Sequence, residues 1–252
     1  MRRPAWPEGH ARLILEEAAS TQDLARAEAR AGRVGPLWIM ARRQTAGRGR
    51  RGRVWTAPEG NLSCTVMLRP EATAGVAAGY GFVAALAMAA LVEAAAPRSR
   101  VEIKWPNDVV LDGGKVSGVL LESEGAGARI DWLAIGMGVN LAAHPPPDPE
   151  GTLPPTSIAA TGAGPPSPEA ALSVLAAAFA RHAARFEGEG FGPIRDAWLA
   201  RAFRLGQPIE ARLPGETVRG RFADLDATGA LVLHVAGGER RIPAADVHFP
   251  AA

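Results

Sequence analysis

The sequence predicts an α/β chain in two parts, a mixed domain over residues 1–203 and a small β-barrel over residues 204–252. Three observations carry this. Apolar segments with strand period and with helix period interleave up to about residue 200. Beyond Arg204 only short apolar runs remain, separated at regular intervals by turn residues. The length of 252 residues, with 47% hydrophobic and 21% charged residues, suits one large domain plus a small appendage.

Taken in chain order, Ala11–Glu16 alternates weakly and reads as a first strand. Ser20 offers a helix N-cap, with Asp23 as acidic partner three residues on, a variant of the capping box. That helix runs to Ala31 and stops at Gly32. Val34–Ala41 is apolar between glycine and proline and reads as a strand. Glycines 47, 49 and 52 forbid a stable helix over Gly47–Arg53. Leu62–Leu68 alternates, with Leu62, Cys64, Val66 and Leu68 on one face, which predicts a half-buried strand. Gly75–Ala96 is nearly free of charge and long enough to span a bilayer. Alanine and glycine dominate it, however, and it contains Glu93 and Tyr80–Gly81. Small residues give a weak insertion signal, so it reads as a core helix and no membrane span is expected.

Val101, Ile103 and Trp105 alternate until Pro106 ends the strand. Val109–Leu111 and Val116–Leu121 flank Asp112–Gly113–Gly114, a hairpin signal. Ile130–Ile135 has strand character and runs into Gly136–Met137–Gly138. Residues 142–168 are rich in proline and glycine and form a long irregular connection. Ser167 caps a helix with Pro168 at its first position, and Leu172, Leu175, Phe179, His182 and Phe186 follow at helical spacing. A second short helix carries Ile194, Trp198 and Phe203. The final runs are Ile209–Leu213, Val218–Leu225, Ala230–Val235 and Arg240–Ile242, divided by Pro214–Gly215, Asp226–Gly229 and Gly237–Gly238.

Composition excludes several classes. The net charge of +2 is close to neutral for this size and argues against a chain-wide nucleic-acid surface. Cys64 is the single cysteine, so no disulfide framework exists within the chain. The five histidines, at 10, 144, 182, 234 and 248, show no metal-ligand spacing. No apolar run follows the two arginines of Met1–Glu8, so no secretory signal is expected there.

Four segments carry chemistry. In Gln44–Thr–Ala–Gly–Arg–Gly–Arg–Arg–Gly–Arg–Val–Trp55, glycines let backbone amides approach an anion and arginines supply fixed positive forks. Taken alone, such a loop is equally well a solvated loop or a non-specific nucleic-acid contact. Its place between two strands and Trp55 at its exit, able to cover an adenine ring, favour a phosphate-bearing ligand. In Lys104–Trp–Pro–Asn–Asp108, Asn107 and Asp108 sit in a turn at a strand end. Asn107 suits a nucleotide, Asp108 a magnesium ion, and Lys115 on the next strand a carboxylate or phosphate oxygen. A plain Asx turn with a surface lysine is the competing reading. Gly136–Met–Gly–Val–Asn140 lacks the third glycine of a dinucleotide fingerprint, so a close-packed strand end is the default and Asn140 adds a polar contact. Ser20 can be a helix cap only, while Thr21 and Gln22 at a helix N-terminus can also meet a small polar head group.

Together these motifs make the sequence resemble biotin–protein ligases, from about Leu13 to Val247. The matching residues are Ser20–Thr21, Gln44 with Gly47–Arg53 and Trp55, Lys104–Asp108, Lys115 with Gly118 and Glu122, and Gly136–Asn140. The resemblance implies a class II synthetase-like α/β catalytic domain followed by an SH3-like barrel. It implies ATP-dependent formation of biotinyl-5′-AMP and transfer of biotin to a lysine of a biotin carboxyl carrier or related acceptor protein. Ser20, Thr21, Gln22, Gln44, Gly47, Arg48, Gly49, Arg50 and Lys115 would bind biotin. Arg50, Trp55, Asn107, Asp108, Lys115 and Asn140 would bind the adenylate, with Asp108 on magnesium. Lys115 and Arg50 would be catalytic, and the glycine–arginine loop a lid. Gln22 departs from the family, which often has asparagine there. The leader before Ser20 is too short for the three-helix DNA-binding module some members carry, so no DNA binding and no repressor function are expected. The resemblance implies a cytoplasmic enzyme and leaves the oligomeric state open, a homodimer included. A lipoate–protein ligase is the nearest alternative, and a nucleic-acid-binding module is the alternative from another class.

Overall fold

A seven-stranded sheet and a five-stranded sheet organise the chain in the computed structural model, which describes residues 4–126, 128–147 and 153–249. Arg2 and Arg3 of the leader, and residues 148–152 of the proline-rich connection, lie outside the described residues. The first sheet is built from β1 (Ala11–Ala18), β2 (Leu37–Gln44), β3 (Leu62–Leu68), β4 (Val101–Lys104), β5 (Asp108–Leu111), β6 (Gly114–Glu124) and β7 (Trp132–Val139). Its order is β1-β2-β3-β7-β6-β5-β4. β1 and β2 are parallel, joined by helix α1 (Thr21–Arg30) as their crossover. The other neighbours are antiparallel.

The two faces of this sheet do different things. Leu62, Cys64, Val66, Ile135, Met137 and Val139 enter the main core. There they meet the helices α2 (Ala74–Ala77), α3 (Tyr80–Ala95), α4 (Pro168–Glu189) and α5 (Phe191–Leu199). α3 is apolar all round, which is why it is buried in the middle instead of lying half-exposed. The stretch Ala74–Ala95 is long and apolar enough to cross a membrane, but 72% of its apolar window is buried inside the fold. On the opposite face Leu37, Ile39, Met67, Trp132 and Ala134 pack on Ala25 and Ala29 of α1. β3 is therefore buried along its whole length, not half-buried as its alternation predicts. Its polar residues Ser63 and Thr65 face α1 and a cavity, not solvent.

Several boundaries move for identifiable reasons. β2 begins at Leu37, because Val34 stays 76% exposed and Pro36 has no donor for the ladder. The glycines after Ile135 lie inside β7, so Gly136 and Gly138 are strand residues. Phe203 lies beyond α5: the chain from Arg201 to Phe203 runs along edge strand β4, with Ile103 N donating to Arg201 O (2.7 Å) and Phe203 N to Ile103 O (2.9 Å). The expected hairpin forms, turning at Asp112 (φ 48°) and Gly113 (φ 86°). α4 is capped as expected, Ser167 accepting from Ala170 N.

The second sheet holds β8 (Pro208–Leu213), β9 (Glu216–Leu225), β10 (Leu231–Val235), β11 (Gly238–Ile242) and β12 (Asp246–His248), all antiparallel, in the order β11-β10-β9-β8-β12. β12 is too short to stand out as an apolar run. The core is continuous across the two sheets. Trp198 of α5 meets Phe222 of β9 edge-on at 6.4 Å. Trp105 Nε1 donates to Gly229 O at 3.0 Å.

At the centre of the helical layer, Phe179 is 1% exposed and meets Trp38 edge-on at 5.5 Å. Phe179→Ala is expected to cost about 3–5 kcal/mol of stability. Urea unfolding checks this, and a midpoint shift of under about 1 kcal/mol would mean the layer repacks around the hole.

Candidate functional site

Alternate residues of β7 and of the position just past its end define the floor of a cavity of about 500 Å³. Gly136, Gly138 and Asn140 point to the same side, and at 3.3 Å per residue they span about 13 Å. Beside them lie Gly118 and Leu120 of β6, and Ser63 and Thr65 of β3. Two of these floor positions, Gly136 and Gly138, carry no side chain, so space opens above the sheet.

The Gly136 end is uncharged and hydrogen-bonded. Gln22 of α1 reaches down so that Nε2 donates to Leu120 O and Ala134 O, both at 3.3 Å, and Oε1 accepts from Thr65 Oγ1 at 3.0 Å. A Cβ on residue 136 would come within 3.0 Å of Gln22 Oε1. Thr21 Oγ1 lies 2.8 Å from Thr65 Oγ1 and 3.1 Å from Gln44 Oε1. Thr65's hydrogen serves Gln22, so Thr21's hydrogen goes to Thr65 or to Gln44. In either case Thr21 offers the cavity lone pairs, and a ligand N–H matches them. The first free N–H of α1, that of Thr21, donates to Gln44 Oε1 at 3.0 Å. Gln44 thus does the capping expected of Ser20, whose side chain makes no cap bond and lines the cavity. The capping box does not form. Asp23 instead pairs with Arg48 and Arg26.

The other end is positive. The hairpin of β5 and β6 and the turn after β4 bring Lys104, Asp108 and Lys115 together. Lys115 Nζ is 2.8 Å and Lys104 Nζ 4.0 Å from the Asp108 carboxylate. Burial raises the Asp108 carboxyl, but Lys115 and Lys104 outweigh it and hold the group below its usual range. Burial pushes the Lys104 ammonium below its usual value, against the pull of Asp108. Arg50 is also shifted down by burial; its Nη1 donates to Asn107 Oδ1 at 3.3 Å, and no carboxylate pairs with it among the described residues. Three cations therefore surround one carboxylate in a partly buried space, an arrangement that calls for an anion.

The glycine–arginine segment folds into a hairpin over the cavity. Trp55 N donates to Gly47 O at 3.0 Å and Gly49 N to Arg53 O at 2.7 Å. A short 3₁₀ turn, Arg50–Gly52, forms the tip. At its exit the Trp55 ring lies on Gly138, where a Cβ would come within 2.3 Å of the ring, and beside Gly118, where it would come within 3.5 Å. Gly118 and Gly138 are cross-strand partners, so together they make a flat seat. Lys115 Nζ stands 5.9 Å from the ring centre. Trp55 Nε1 and Asn140 Oδ1 are buried without partners among the described residues, and both residues line the cavity. Arg51 bonds Asp246 of β12, and Arg53 lies 3.5 Å from the same carboxylate, so the second sheet touches the hairpin.

Of the residues named from sequence, Ser20, Thr21, Gln22, Gln44, Arg48, Gly49, Arg50, Trp55, Asn107, Asp108, Lys115 and Asn140 all line this cavity. Gly47 sits behind it, wedged between Gln44 and Trp55. Thr65, Lys104 and Asp246 were not singled out as site residues. Thr65 shows in the sequence only as a polar member of an alternating strand. The cysteine is inert here: Cys64 is buried, its thiol driven far above the usual range by burial. Gly138→Ala is expected to unseat Trp55 and loosen the hairpin, so that trypsin cuts at Arg50–Arg53 faster than in the parent chain. An unchanged cleavage rate would mean the glycine seat does not hold the lid.

Residues 19–140 match the family described as Biotin/lipoate A/B protein ligase, and residues 205–249 match the Biotin protein ligase C terminal domain. The chain is 49% identical over 221 residues to the biotin–[acetyl-CoA-carboxylase] ligase of Paracoccus denitrificans, an alignment covering 86% of this chain and 92% of that one. The solved structure of biotin protein ligase from Aquifex aeolicus in complex with biotin and ATP has the same fold, with a TM-score of 0.77, 24% identity, and coverage of 94% of this chain and 97% of that chain. Biotin protein ligase from Leishmania major in complex with biotinyl-5-AMP gives a TM-score of 0.64 at 27% identity, covering 93% and 99%.

Proposed function

The chain belongs to the biotin protein ligase family, and from that premise we infer that its cavity joins biotin to ATP. It forms biotinyl-5′-AMP and transfers the biotinyl group to a lysine of an acceptor protein, a biotin carboxyl carrier domain of the acetyl-CoA carboxylase type. The observation that carries this reading is the polarity of one continuous cavity. A neutral row of hydroxyls and amides lies at one end, a stacked tryptophan in the middle, and three cations around one carboxylate at the other.

The ureido ring, with N–H donors and a carbonyl, suits the end formed by Ser20, Thr21 and Gln44. Gln22, both ends of whose amide are engaged with the sheet, sets the floor there instead of reaching for the ligand. The nucleotide suits the middle, where Trp55 offers a ring face and Asn140 Oδ1 a free acceptor. The biotin carboxylate and the α-phosphate meet beside Lys115 and Arg50. Arg48 is engaged by Asp23, so the carboxylate falls to Lys115 and the backbone N–H of Arg50.

In the first step a biotin carboxylate oxygen attacks the α-phosphorus and pyrophosphate leaves. Charge grows on the phosphoryl oxygens, and Lys115, Arg50 and Lys104 are already in place to take it. In the second step the acceptor amine attacks the acyl carbonyl, AMP leaves with the bonding pair, and the amine loses its proton. The hairpin keeps water from the mixed anhydride meanwhile. Magnesium, expected from the sequence with Asp108 as ligand, finds a single carboxylate already flanked by two ammoniums. No cluster of three or more metal-ligating side chains exists among the described residues. The ion would have to arrive on the triphosphate.

A boundary near Arg204 is supported by the change from helices to a second sheet, and a cytoplasmic location by the need for ATP. A lipoate ligase reading has less support, because the hydroxyl and amide row suits a ureido ring and has nothing specific to offer a dithiolane.

Incubation with biotin, ATP and magnesium, followed by mass spectrometry, is expected to reveal biotinyl-5′-AMP; calorimetry showing lipoate bound in preference to biotin would overturn the choice of substrate. Lys115→Ala is expected to slow adenylate formation by roughly 100-fold or more, as for other preorganised charge donors. Pyrophosphate release at the normal rate in that variant would remove Lys115 from its assigned role.

A further inference from the structure

Arg48 is the loop arginine whose partners, Asp23 of α1 and, at 3.8 Å, Glu122 of β6, stand at the end of the cavity that carries Thr21 and Gln22. Its Nη1 and Nη2 bond Asp23 Oδ2 and Oδ1 at 2.7 and 2.8 Å, a two-pronged pair. Arg51 and Arg53 go to Asp246, and Arg50 faces Asn107. The roles are thus divided: three arginines hold carboxylates of the protein itself, and one is left for a bound anion. Asp23 lies in the first turn of α1, the turn that presents Thr21 and Gln22. Arg48 lies at the base of the hairpin, where it bridges to Val54 just before Trp55. One ion pair therefore ties the start of the lid to the turn that meets the uncharged head of the ligand.

We propose that Asp23 is the positioning residue of the lid, and that Arg48 serves as its fastener and not as a ligand for the substrate anion. Resting on the biotin-ligase reading, this makes the seating of Trp55 depend on a carboxylate that touches neither biotin nor ATP. The planar fork against a carboxylate fixes orientation as well as distance. The pair is partly exposed, with side chains 36% and 45% accessible, so salt weakens it. Asp23 also takes Arg26 from its own helix, and losing that contact affects α1 alone.

The test measures how fast preformed biotinyl-5′-AMP leaves the enzyme without acceptor, using the full chain and its Asp23→Asn, Arg48→Gln and double variants. Asp23→Asn is expected to release the adenylate roughly fivefold faster, the upper range for an ion pair near the surface. Arg48→Gln should match it, the double variant should be no faster than either, and Asp23→Glu should recover part of the loss. High salt should narrow the gap between parent and variant. A role confined to the helix would lower the melting midpoint of Asp23→Asn and leave release unchanged, which overturns the proposal. A double variant whose effect is the product of the two singles overturns it as well. If the parent chain forms no adenylate, the ligase reading itself fails; if it does and Asp23→Asn holds it equally tightly, the role of Asp23 alone fails.

Discussion

Everything functional in this molecule depends on positive charge held out of water with too little negative charge beside it. Arg50, Lys104 and Lys115 converge on Asp108, and burial pushes both Arg50 and Lys104 below their usual values. Such a cluster costs stability in a free protein and is tolerable because the meander of β4, β5 and β6 fixes each member. Lys104 closes β4, Asp108 opens β5 opposite it, and Lys115 is the second residue of β6. An arriving anion meets donors that are already oriented, so little reorganisation remains for the moment of reaction.

A second constraint decides where that anion lies. The Trp55 ring can rest on the sheet because residues 118 and 138, paired across β6 and β7, lack side chains. A methyl group at 138 would overlap the ring, so the sheet has to be bare at that point. The same ring stands near Lys115, so a base stacked on it would set its phosphates beside the cations. Placement along β7 and just past its end thus converts three alternating positions, 136, 138 and 140, into head-group floor, ring seat and polar anchor.

The order of strands and helices was largely legible, because periodicity and turn residues are local signals. The cavity was legible too, through motifs: the residues named from Ser20 to Asn140 line it, with Gly47 behind. What was not legible depends on long-range packing. Ser20 looked like a cap, yet Gln44, 24 residues further on, does the capping. Asp23 looked like its partner, yet Arg48 takes it. Thr65 looked solvent-facing, because alternation cannot distinguish water from a cavity wall. Asp246 carried no signal at all, since its importance arises only when the second sheet meets the lid.

The nature of the lid's fastenings follows from what a lid must do. It has to close over a reactive anhydride and then let a protein lysine in and AMP out. A hairpin sealed by buried apolar contacts would close well and open slowly. This one is tied at its base and tip by arginine–carboxylate pairs, all partly exposed and therefore screened. Each is weak alone, and opening requires breaking only a few of them. Specific geometry with modest strength is what the arginine fork provides, and a lysine in the same place would lose the geometry while keeping the charge. Arginine at positions 48, 51 and 53 supplies that geometry where the hairpin meets Asp23 and Asp246.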